Sequence, residues 1–311
     1  MSGSAFDSAS DLPDAPDIRI PATIPLRIAL PKGRMAAGVE ALLEGAGLPV
    51  RSGARAYRPL IGPSPERFVA KRLKARGVVE MIAAGTQDVG FAGADVVAEL
   101  GAGDDVVELL DTGMDRVSIV AAGPSGAIDD AAGRPRRIRV ATEYPELTRA
   151  WLDRTGRAAD VVRTWGATEV YPPEDADLIV DNTATGATLA ANGLRIIDTL
   201  MRSSTRLYAS RSAMGAGPRR AAIEDLSLLL RSVLEARRRA IVECNISAAD
   251  LPALIEVLPA MREPTISQLH RGDGLAVRTA VERAAVPELI PAIRARGGTD
   301  IVVSQPGQIV P

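Results

Sequence analysis

Residues 177–189 read DLIVDNTATGATL, an apolar strand followed at once by a loop of small and hydroxyl-bearing residues and the start of a helix. The pattern predicts a buried strand that delivers Asp181 to its carboxyl end. Small residues such as Gly186 let backbone amides approach an anion, and threonine hydroxyls add hydrogen-bond donors near the positive end of the helix. The stretch therefore predicts a cradle for a monophosphate. The alternative is an ordinary strand-to-helix loop in which Thr185 or Thr188 caps the helix.

The same alternation of strand, loop and helix recurs on both sides of this stretch. Residues 26–30 form an apolar run, residues 31–34 break it, and apolar positions then return at helical spacing until Gly45 and Gly47. Further strands are predicted at 88–92, 106–110, 117–122, 137–141, 160–164, 196–200 and 205–210, and helices at 94–100 and 146–155. Alternating elements of these lengths predict an α/β sheet that is largely parallel.

The C-terminal part of the chain has a different order of elements, which follows an amphipathic helix predicted at 219–238. The predicted elements are strand 240–245, helix 249–258, strands 265–270 and 275–282, helix 286–296 and strand 300–304. This βαββαβ order is typical of ferredoxin-like domains. We expect a first lobe of residues 26–122 with about 203–228, a second lobe of 123–202, a third unit of 229–311 and a disordered tail of 1–25.

Composition excludes several classes of function. The chain has 311 residues, one histidine and one cysteine, so it cannot form an internal disulfide or a Cys/His metal cluster of its own. A formal net charge of −2 and 3% aromatic residues argue against a nucleic-acid partner. No apolar run reaches the roughly 18–20 residues that span a membrane. The Ser-, Asp- and Pro-rich N-terminus resembles neither a secretory signal nor a transit peptide, so a cytoplasmic protein is expected.

Two basic segments are candidate anion sites. Lys32, Gly33 and Arg34 follow the first strand, where a cation pair on a flexible backbone could hold phosphate oxygens; the alternative is a solvated surface loop. Lys71, Arg72, Lys74 and Arg76 form a second basic run. Such a run usually forms a solvated surface. The alternative interpretation is that it forms a wall that binds a polyanionic substrate.

Five motifs in register resemble ATP phosphoribosyltransferase, the first enzyme of histidine biosynthesis, and the resemblance extends from Leu26 to Pro311. The motifs are RIALPKGR at 27–34, DVGFAGAD at 88–95, ATEYP at 141–145, ATGATL at 184–189 and ANGL at 191–194. The segment LPAMREPT at 258–265 is similar to the regulatory domain of the long-chain form. The resemblance implies a two-lobed, periplasmic-binding-protein-like catalytic unit and a ferredoxin-like regulatory domain. The chain departs from the family pattern at Asn182, where the family usually has an aliphatic residue.

The resemblance also implies a reaction and a set of site residues. The family transfers the ribosyl phosphate of phosphoribosyl pyrophosphate to N1 of ATP and requires Mg²⁺. The 5′-phosphate loop matches Thr183, Ala184, Thr185, Gly186, Ala187 and Thr188, while Asp181 and Glu169 match the acidic residues that face the ribose hydroxyls or the metal. Lys32 and Arg34 would be catalytic, and the nucleotide-binding positions would be Gly33, Asp88, Gly90, Gly93, Asp95 and Tyr144. Histidine would be the allosteric inhibitor, and the expected assembly is a homo-oligomer, a hexamer in the long-chain family.

Two other functions fit parts of the same pattern. A paralogue could transfer phosphoribose to a different nitrogen base, and a non-catalytic sensor could use two α/β lobes with a cleft to bind a small molecule. The near absence of histidine and cysteine agrees with glycosyl transfer to a ring nitrogen, because N1 of adenine does not lose a proton as it attacks. Positioning two anions in one cleft then carries most of the catalysis.

Overall fold

An eight-stranded sheet runs through two lobes, and a four-stranded sheet forms a third unit. The structure is a computed structural model that describes residues 24–310 apart from 52–56, 128–136, 216, 260–262, 271 and 273. The tail predicted at 1–25 lies outside the described residues, except for its last two positions, and so does the middle of the 258–265 motif.

Within these ranges, the strands are β1 (Leu26–Pro31), β2 (Val50–Arg51), β3 (Leu60–Ile61), β4 (Phe68–Leu73), β5 (Val89–Gly93), β6 (Val106–Gly123), β7 (Ile138–Thr142), β8 (Ala159–Arg163), β9 (Leu178–Thr183), β10 (Arg195–Ser210), β11 (Arg239–Ser247), β12 (Thr265–Gln268), β13 (Gly274–Glu282) and β14 (Thr299–Ser304). The α-helices are α1 (Met35–Gly45), α2 (Ala75–Ala83), α3 (Ala94–Glu99), α4 (Pro145–Thr155), α5 (Ala187–Ala191), α6 (Pro218–Arg238), α7 (Leu251–Ile255) and α8 (Val286–Ala295). Of the helices described, none is long and apolar enough to cross a membrane.

The large sheet has the order β4-β1-β5-β10-β6-β9-β7-β8. Each lobe keeps a parallel group, β4-β1-β5 in the first and β9-β7-β8 in the second. The two groups are joined by β6 and β10, which are antiparallel to each other and to their outer neighbours. The sheet is therefore mixed, and the prediction of a largely parallel sheet holds only inside each lobe.

Strands β6 and β10 are each one long strand where two short ones were predicted. They pair along their whole length, with β5 joining at the first-lobe end of β10 and β9 at the second-lobe end of β6. The segment between the two predicted halves of β6 contains Gly113. Gly113 and Asp115 do have positive φ angles, of 67° and 49°, but they bend the strand without ending it. The two lobes therefore share a continuous two-stranded hinge.

The hydrophobic cores show why the lobes are separate bodies. In the first lobe, the sheet is covered on one face by α1 and α6, around Ile28, Leu42 and Leu230, and on the other by α2 and α3. The second lobe has its own cores, one of which surrounds Trp151 and Leu178. Strands buried on both faces are the usual condition for parallel sheets. The two-lobed α/β architecture is confirmed.

Helix α6 belongs to the first lobe over most of its length. Its buried residues Ile223, Leu226, Leu230 and Val233 are part of that lobe's core. Val233 packs so closely on α1 that a Cβ on Gly45 would lie 2.9 Å from its Cγ1. The boundary expected at 228/229 falls inside this helix, and the structure places the change to the third unit after Arg238.

The third unit has the predicted βαββαβ order and the antiparallel strand order β12-β13-β11-β14. Its core contains Val242, Leu254 and Ile293, from β11, α7 and α8. The chain then returns to the first lobe: Gln308 donates a hydrogen bond of 3.2 Å to the carbonyl of Gly45, and the amide of Ile309 donates one of 3.0 Å to Ser232. The ferredoxin-like unit is therefore attached to the first lobe at both of its ends.

Candidate active site

The segments that follow the parallel strands of the two lobes carry most of the predicted site residues. In the first lobe these are residues 32–34 after β1 and helix α3 after β5. In the second lobe they are residues 143–144 after β7, 164–169 after β8 and 184–188 after β9. Carboxyl ends of parallel strands are the usual place for ligands in α/β sheets. Of these segments, α3 and residues 143–144 and 164–165 line one cavity together.

The loop after β9 has the geometry of a turn built by its own side chains. Leu178, Ile179 and Val180 are fully buried, which fixes the strand. The hydroxyl oxygen of Thr183 accepts a hydrogen bond of 2.9 Å from the amide of Gly186, whose φ is +79°.

The cap of α5 is Gly186, and it makes no side-chain cap hydrogen bond. Thr188 lies inside the helix, whereas the Thr185 hydroxyl oxygen accepts a hydrogen bond of 3.4 Å from the amide of Ala187, the first residue of α5, so the capping alternative holds in part for Thr185. Both threonines are exposed, and so are Ala184 and Ala187. The side chains of Thr185 and Thr188 thus remain accessible from solvent.

Asp181 is a half-buried carboxylate at the base of this loop. Its Oδ1 accepts hydrogen bonds from Asn182, at 2.6 Å from the backbone amide and 3.1 Å from Nδ2, and Thr168 adds a side-chain hydrogen bond. The pKa of Asp181 is raised to about 6, chiefly by burial and to a smaller extent by the nearby carboxylates of Glu143 and Glu169, while these hydrogen bonds act in the opposite direction. The structure thus places Asp181 and Glu169 in one acidic cluster, to which it adds Glu143.

Tyr144 and Asp95 form a buried link between the lobes. The Tyr144 hydroxyl donates a hydrogen bond of 2.9 Å to Oδ2 of Asp95 and accepts one of 3.1 Å from Nδ2 of Asn182. Ser203, on the hinge strand β10, donates to Oδ1 of Asp95 at 2.5 Å. Burial and the Asp95 carboxylate hold the pKa of Tyr144 far above its usual value. Both residues were predicted to bind nucleotide. In the structure they are buried and hydrogen-bonded to each other.

Gly90 and Gly93 of the 88–95 motif have packing roles in the structure. A Cβ on Gly90 would lie 2.8 Å from the carbonyl oxygen of Ala29, and one on Gly93 would lie 2.2 Å from the Asp95 carboxylate. Both glycines therefore permit close contacts in the first lobe. Gly33, by contrast, has a φ of +78° in the exposed loop after β1 and has no atom within 4 Å of its Cβ position.

Asp88 lies at the amino end of β5, at the opposite edge from the cleft. It is fully buried and accepts hydrogen bonds from the backbone and guanidinium of Arg27 and a 3.3 Å contact from Arg219. The same aspartate raises the pKa of Arg27 through this hydrogen bond. The structure does not bring Asp88 to the nucleotide side of the cleft. It is an internal counter-ion that ties β1 to the start of α6.

The basic segments divide into paired and cleft-facing residues. Lys32 places Nζ 3.6 Å from the centre of the Tyr57 ring, and Arg34 is exposed at the start of α1. Arg72 forms an ion pair of 2.6 Å with Glu40. It is therefore not free to bind a substrate, which was one interpretation of the basic run. Lys74 and Arg76 line the cavity between the lobes, and Arg76 also forms an ion pair of 2.8 Å with Glu80.

A cavity of about 360 Å³ lies between the lobes. Its first-lobe wall includes Lys74, Arg76 and Glu99, and its second-lobe wall includes Glu143, Tyr144, Arg163 and Trp165. Glu99 accepts hydrogen bonds of 3.0–3.2 Å from the amides of Glu146 and Leu147, at the start of α4 in the other lobe.

Sequence reasoning assigned no role to Glu99, Arg163 or Trp165. A tryptophan in a chain with 3% aromatic residues, four positions before the predicted Glu169, was the signal that could have found this wall.

Comparisons with known proteins agree with the resemblance. A family model described as HisG: ATP phosphoribosyltransferase matches residues 74–232, and one described as HisG, C-terminal domain matches residues 236–305. The ATP phosphoribosyltransferase of Koribacter versatilis is 34% identical over 284 residues, which cover 89% of this chain and 96% of that protein. The one of Pelotomaculum thermopropionicum is also 34% identical, over 92% of this chain and 99% of that protein. A chain of the ATP phosphoribosyl transferase (HisG:HisZ) complex from Thermotoga maritima superposes with a TM-score of 0.58 at 25% identity, covering 68% of this chain and 98% of that one.

Proposed function

Since this chain belongs to the ATP phosphoribosyltransferase family, we propose that it binds phosphoribosyl pyrophosphate at Asp181–Thr188 and ATP in the adjoining cavity between the lobes. The enzyme transfers the 5-phosphoribosyl group from phosphoribosyl pyrophosphate to N1 of ATP and releases pyrophosphate, which is the first step of histidine biosynthesis. What remains to be assigned is the part that each residue takes.

The observation that carries the donor site is the pairing of Asp181 with the loop that follows it. A buried strand holds the carboxylate, and the left-handed Gly186 turns the chain so that Thr185 and Thr188 stay exposed. The hydroxyls and backbone of this loop hold the 5′-phosphate, which orients the ribose towards Asp181. The carboxylate then accepts hydrogen bonds from the ribose hydroxyls and faces the positive charge that develops on the sugar.

Lys32 and Arg34 hold the pyrophosphate end of the donor. They flank Gly33, whose open position leaves room for phosphate oxygens near the backbone. An arginine offers two parallel N–H donors and a lysine a compact charge, so together they neutralise a leaving pyrophosphate as the bond to the anomeric carbon breaks.

The acidic cluster fits Mg²⁺ only in part. Asp181, Glu169 and Glu143 supply the oxygen ligands that Mg²⁺ prefers. Among the described residues, however, no group of three His, Cys, Asp or Glu side chains is close enough to hold a metal without other ligands. Asp181 and Glu169 would therefore hold the ion together with oxygens of the substrate, and its chemistry is to neutralise charge on the pyrophosphate.

The reaction itself needs little from the protein beyond position and charge. The bond from N1 of adenine to the anomeric carbon forms as the bond from that carbon to pyrophosphate breaks, and no proton leaves N1. The contacts of Tyr144 with Asp95 and of Glu99 with α4 hold the lobes together over the reactants, which excludes water from a charged transition state.

The third unit is the regulatory part of the proposal. It takes histidine as the feedback inhibitor and supports assembly into a homo-oligomer, the hexamer of the long-chain family, and the enzyme works in the cytoplasm. Support comes from the C-terminal family match at 236–305 and from the return contact of Gln308 with Gly45 at the end of α1, the helix that begins beside Arg34.

One assay tests the donor and acceptor together. Purified protein is incubated with ATP, phosphoribosyl pyrophosphate and Mg²⁺, and both pyrophosphate and the phosphoribosyl adduct are measured. We expect Asp181→Ala and Thr185→Val to weaken donor binding while the protein stays folded. Unchanged donor affinity in both variants would contradict the assignment of the loop.

A truncation tests the third unit. A chain ending at Arg238 should lose inhibition by histidine, whereas a chain ending at residue 229 should also unfold, because it lacks the core residues Leu230 and Val233. Histidine inhibition that survives the first truncation would refute the regulatory assignment.

A further inference from the structure

Trp165 is the most exposed of the large apolar side chains in the described structure. Its exposed fraction is 83%, whereas Trp151 is almost fully buried in the core of the second lobe. A large aromatic ring in water is unfavourable unless something covers it in the working protein. Trp165 is also part of the wall of the interlobe cavity. The exposed ring therefore lies at the cavity in which ATP is proposed to bind.

The loop that carries Trp165 is held at both ends. Thr164 and Thr168 are buried, and their hydroxyl oxygens lie 3.1 Å apart. Between them, Gly166 and Ala167 have positive φ angles of 109° and 49°, the second of which is costly for a residue with a Cβ. Strain of this kind persists only where the surroundings impose it. The ring is therefore presented by a fixed turn.

The surroundings of the ring match the chemistry of a purine nucleotide. The guanidinium carbon of Arg163 lies 4.6 Å from the centre of the ring and covers part of one face. Lys74 and Arg76 line the cavity from the other lobe, where they can meet a polyphosphate, Arg76 by exchanging its exposed ion pair with Glu80 for a phosphate. Aromatic rings stack with any base because every base has a π face.

The loop is also connected to the donor site. Thr168 hydrogen-bonds Asp181 through its side chain, so the turn that presents Trp165 is anchored on the carboxylate proposed to face the ribose. The turn that presents Trp165 is therefore joined directly to the proposed donor site.

We propose that Trp165 is the platform on which the adenine ring of ATP stacks, with Arg163 supporting the ring and Lys74 and Arg76 facing the triphosphate. The proposal rests on the function proposed above and assigns the acceptor side of that site. It makes Trp165 a determinant of acceptor affinity, separate from the residues that hold the donor.

The test compares Trp165→Ala, Trp165→Phe and the control Val170→Ala in the full-length enzyme. Val170 is an exposed apolar residue five positions along the chain. For Trp165→Ala we expect the KM for ATP to rise about tenfold with the KM for phosphoribosyl pyrophosphate unchanged. Trp165→Phe should keep most of the affinity, and Val170→Ala should match the wild type. Adding ATP without the donor should quench tryptophan fluorescence in the wild type and not in Trp165→Phe.

The outcomes separate this inference from the proposed function. A wild-type KM for ATP in Trp165→Ala, measured in an active enzyme, overturns the platform and leaves the donor site intact. A rise in the donor KM alone also overturns it, because the ring would then serve the other substrate. Failure of the wild type to release pyrophosphate with ATP would count against the proposed function itself.

Discussion

The hydroxyl of Tyr144 in the second lobe donates a hydrogen bond of 2.9 Å to Oδ2 of Asp95 in the first lobe. The two residues are 49 positions apart in the chain. Ser203, from the hinge strand, completes the set by donating to the other carboxylate oxygen. One buried aspartate therefore connects both lobes and the hinge, and it lies directly beneath the proposed active site.

Removing the Tyr144 hydroxyl should weaken this connection. We expect Tyr144→Phe to lower the free energy of unfolding by about 1–3 kcal/mol, because a buried carboxylate loses a hydrogen bond. The KM values of both substrates should rise, since the lobes are held together less firmly. The control is Tyr171→Phe, whose hydroxyl makes no hydrogen bond to the residues described. Equal stability of the two variants in thermal or denaturant unfolding would show that the link is weak.

Asp181 should set the acidic limb of the pH profile. The carboxylate must be ionised to face the ribose or a metal, and burial raises its pKa to about 6. We therefore expect kcat/KM for phosphoribosyl pyrophosphate to fall as the pH drops through about 6. A profile that stays flat to pH 5 would contradict this role.

The raised pKa of Asp181 also predicts that its carboxylate destabilises the folded protein at neutral pH. The pKa of Asp181 is higher in the folded protein than its ordinary value of 3.8, so stability falls as pH rises between these values and stays lower above 6. Asp181→Asn should thus be inactive yet more stable at pH 7.5, by an amount on the order of 1–3 kcal/mol. Asp198 is the control, because its pKa is lowered by a hydrogen bond from Trp151 and Asp198→Asn should not stabilise the protein.

Substitutions of two neighbouring arginines of α6 can test whether Asp88 has a structural or a ligand-binding role. Arg219 contacts the buried Asp88, whereas Arg220 pairs with the exposed Glu224. We expect Arg219→Met to cost about 1–3 kcal/mol of unfolding free energy and Arg220→Met less than about 0.5 kcal/mol. Asp88→Ala should cost about 3–5 kcal/mol, since it leaves charged partners without their counter-ion.

The kinetic measurement completes that test. None of these variants should change the KM for ATP, because Asp88 lies at the edge of the sheet away from the cleft. A rise in the KM for ATP alone in Arg219→Met would show instead that Asp88 contributes to nucleotide binding.

Two left-handed glycines test the phosphate loop. Gly186 and Gly193 have φ angles of +79° and +71°, so an alanine at either position carries a strain of roughly 1 kcal/mol. Gly186 begins α5 inside the proposed loop, and Gly193 follows the end of the same helix. Gly186→Ala should raise the KM for phosphoribosyl pyrophosphate several-fold, whereas Gly193→Ala should only lower stability. Equal kinetic effects would show that the loop is not the phosphate site.

Local patterns in the chain were enough for most elements and for the donor loop. The run from Asp177 to Leu189 predicted the strand, the turn and the helix, because a short continuous apolar run and the position of Gly186 act over a few neighbouring residues. The βαββαβ order of the third unit was predicted for the same reason. Asp181 was predicted at the end of its strand, whereas β9 continues through Asn182 to Thr183, because these residues pair with β6.

Tertiary structure decided how distant segments meet. Asp88 is neutralised by Arg27 and Arg219, 61 and 131 positions away, and no local pattern contains that pairing. Tyr144 is engaged with Asp95 for the same reason, and Trp165 becomes part of a cavity only when the two lobes face each other. The single strands β6 and β10 depend on their pairing with each other, which overrides the local signal of Gly113. Contacts between residues far apart in the chain depend on the register of the whole sheet, and that register exists only in the folded protein.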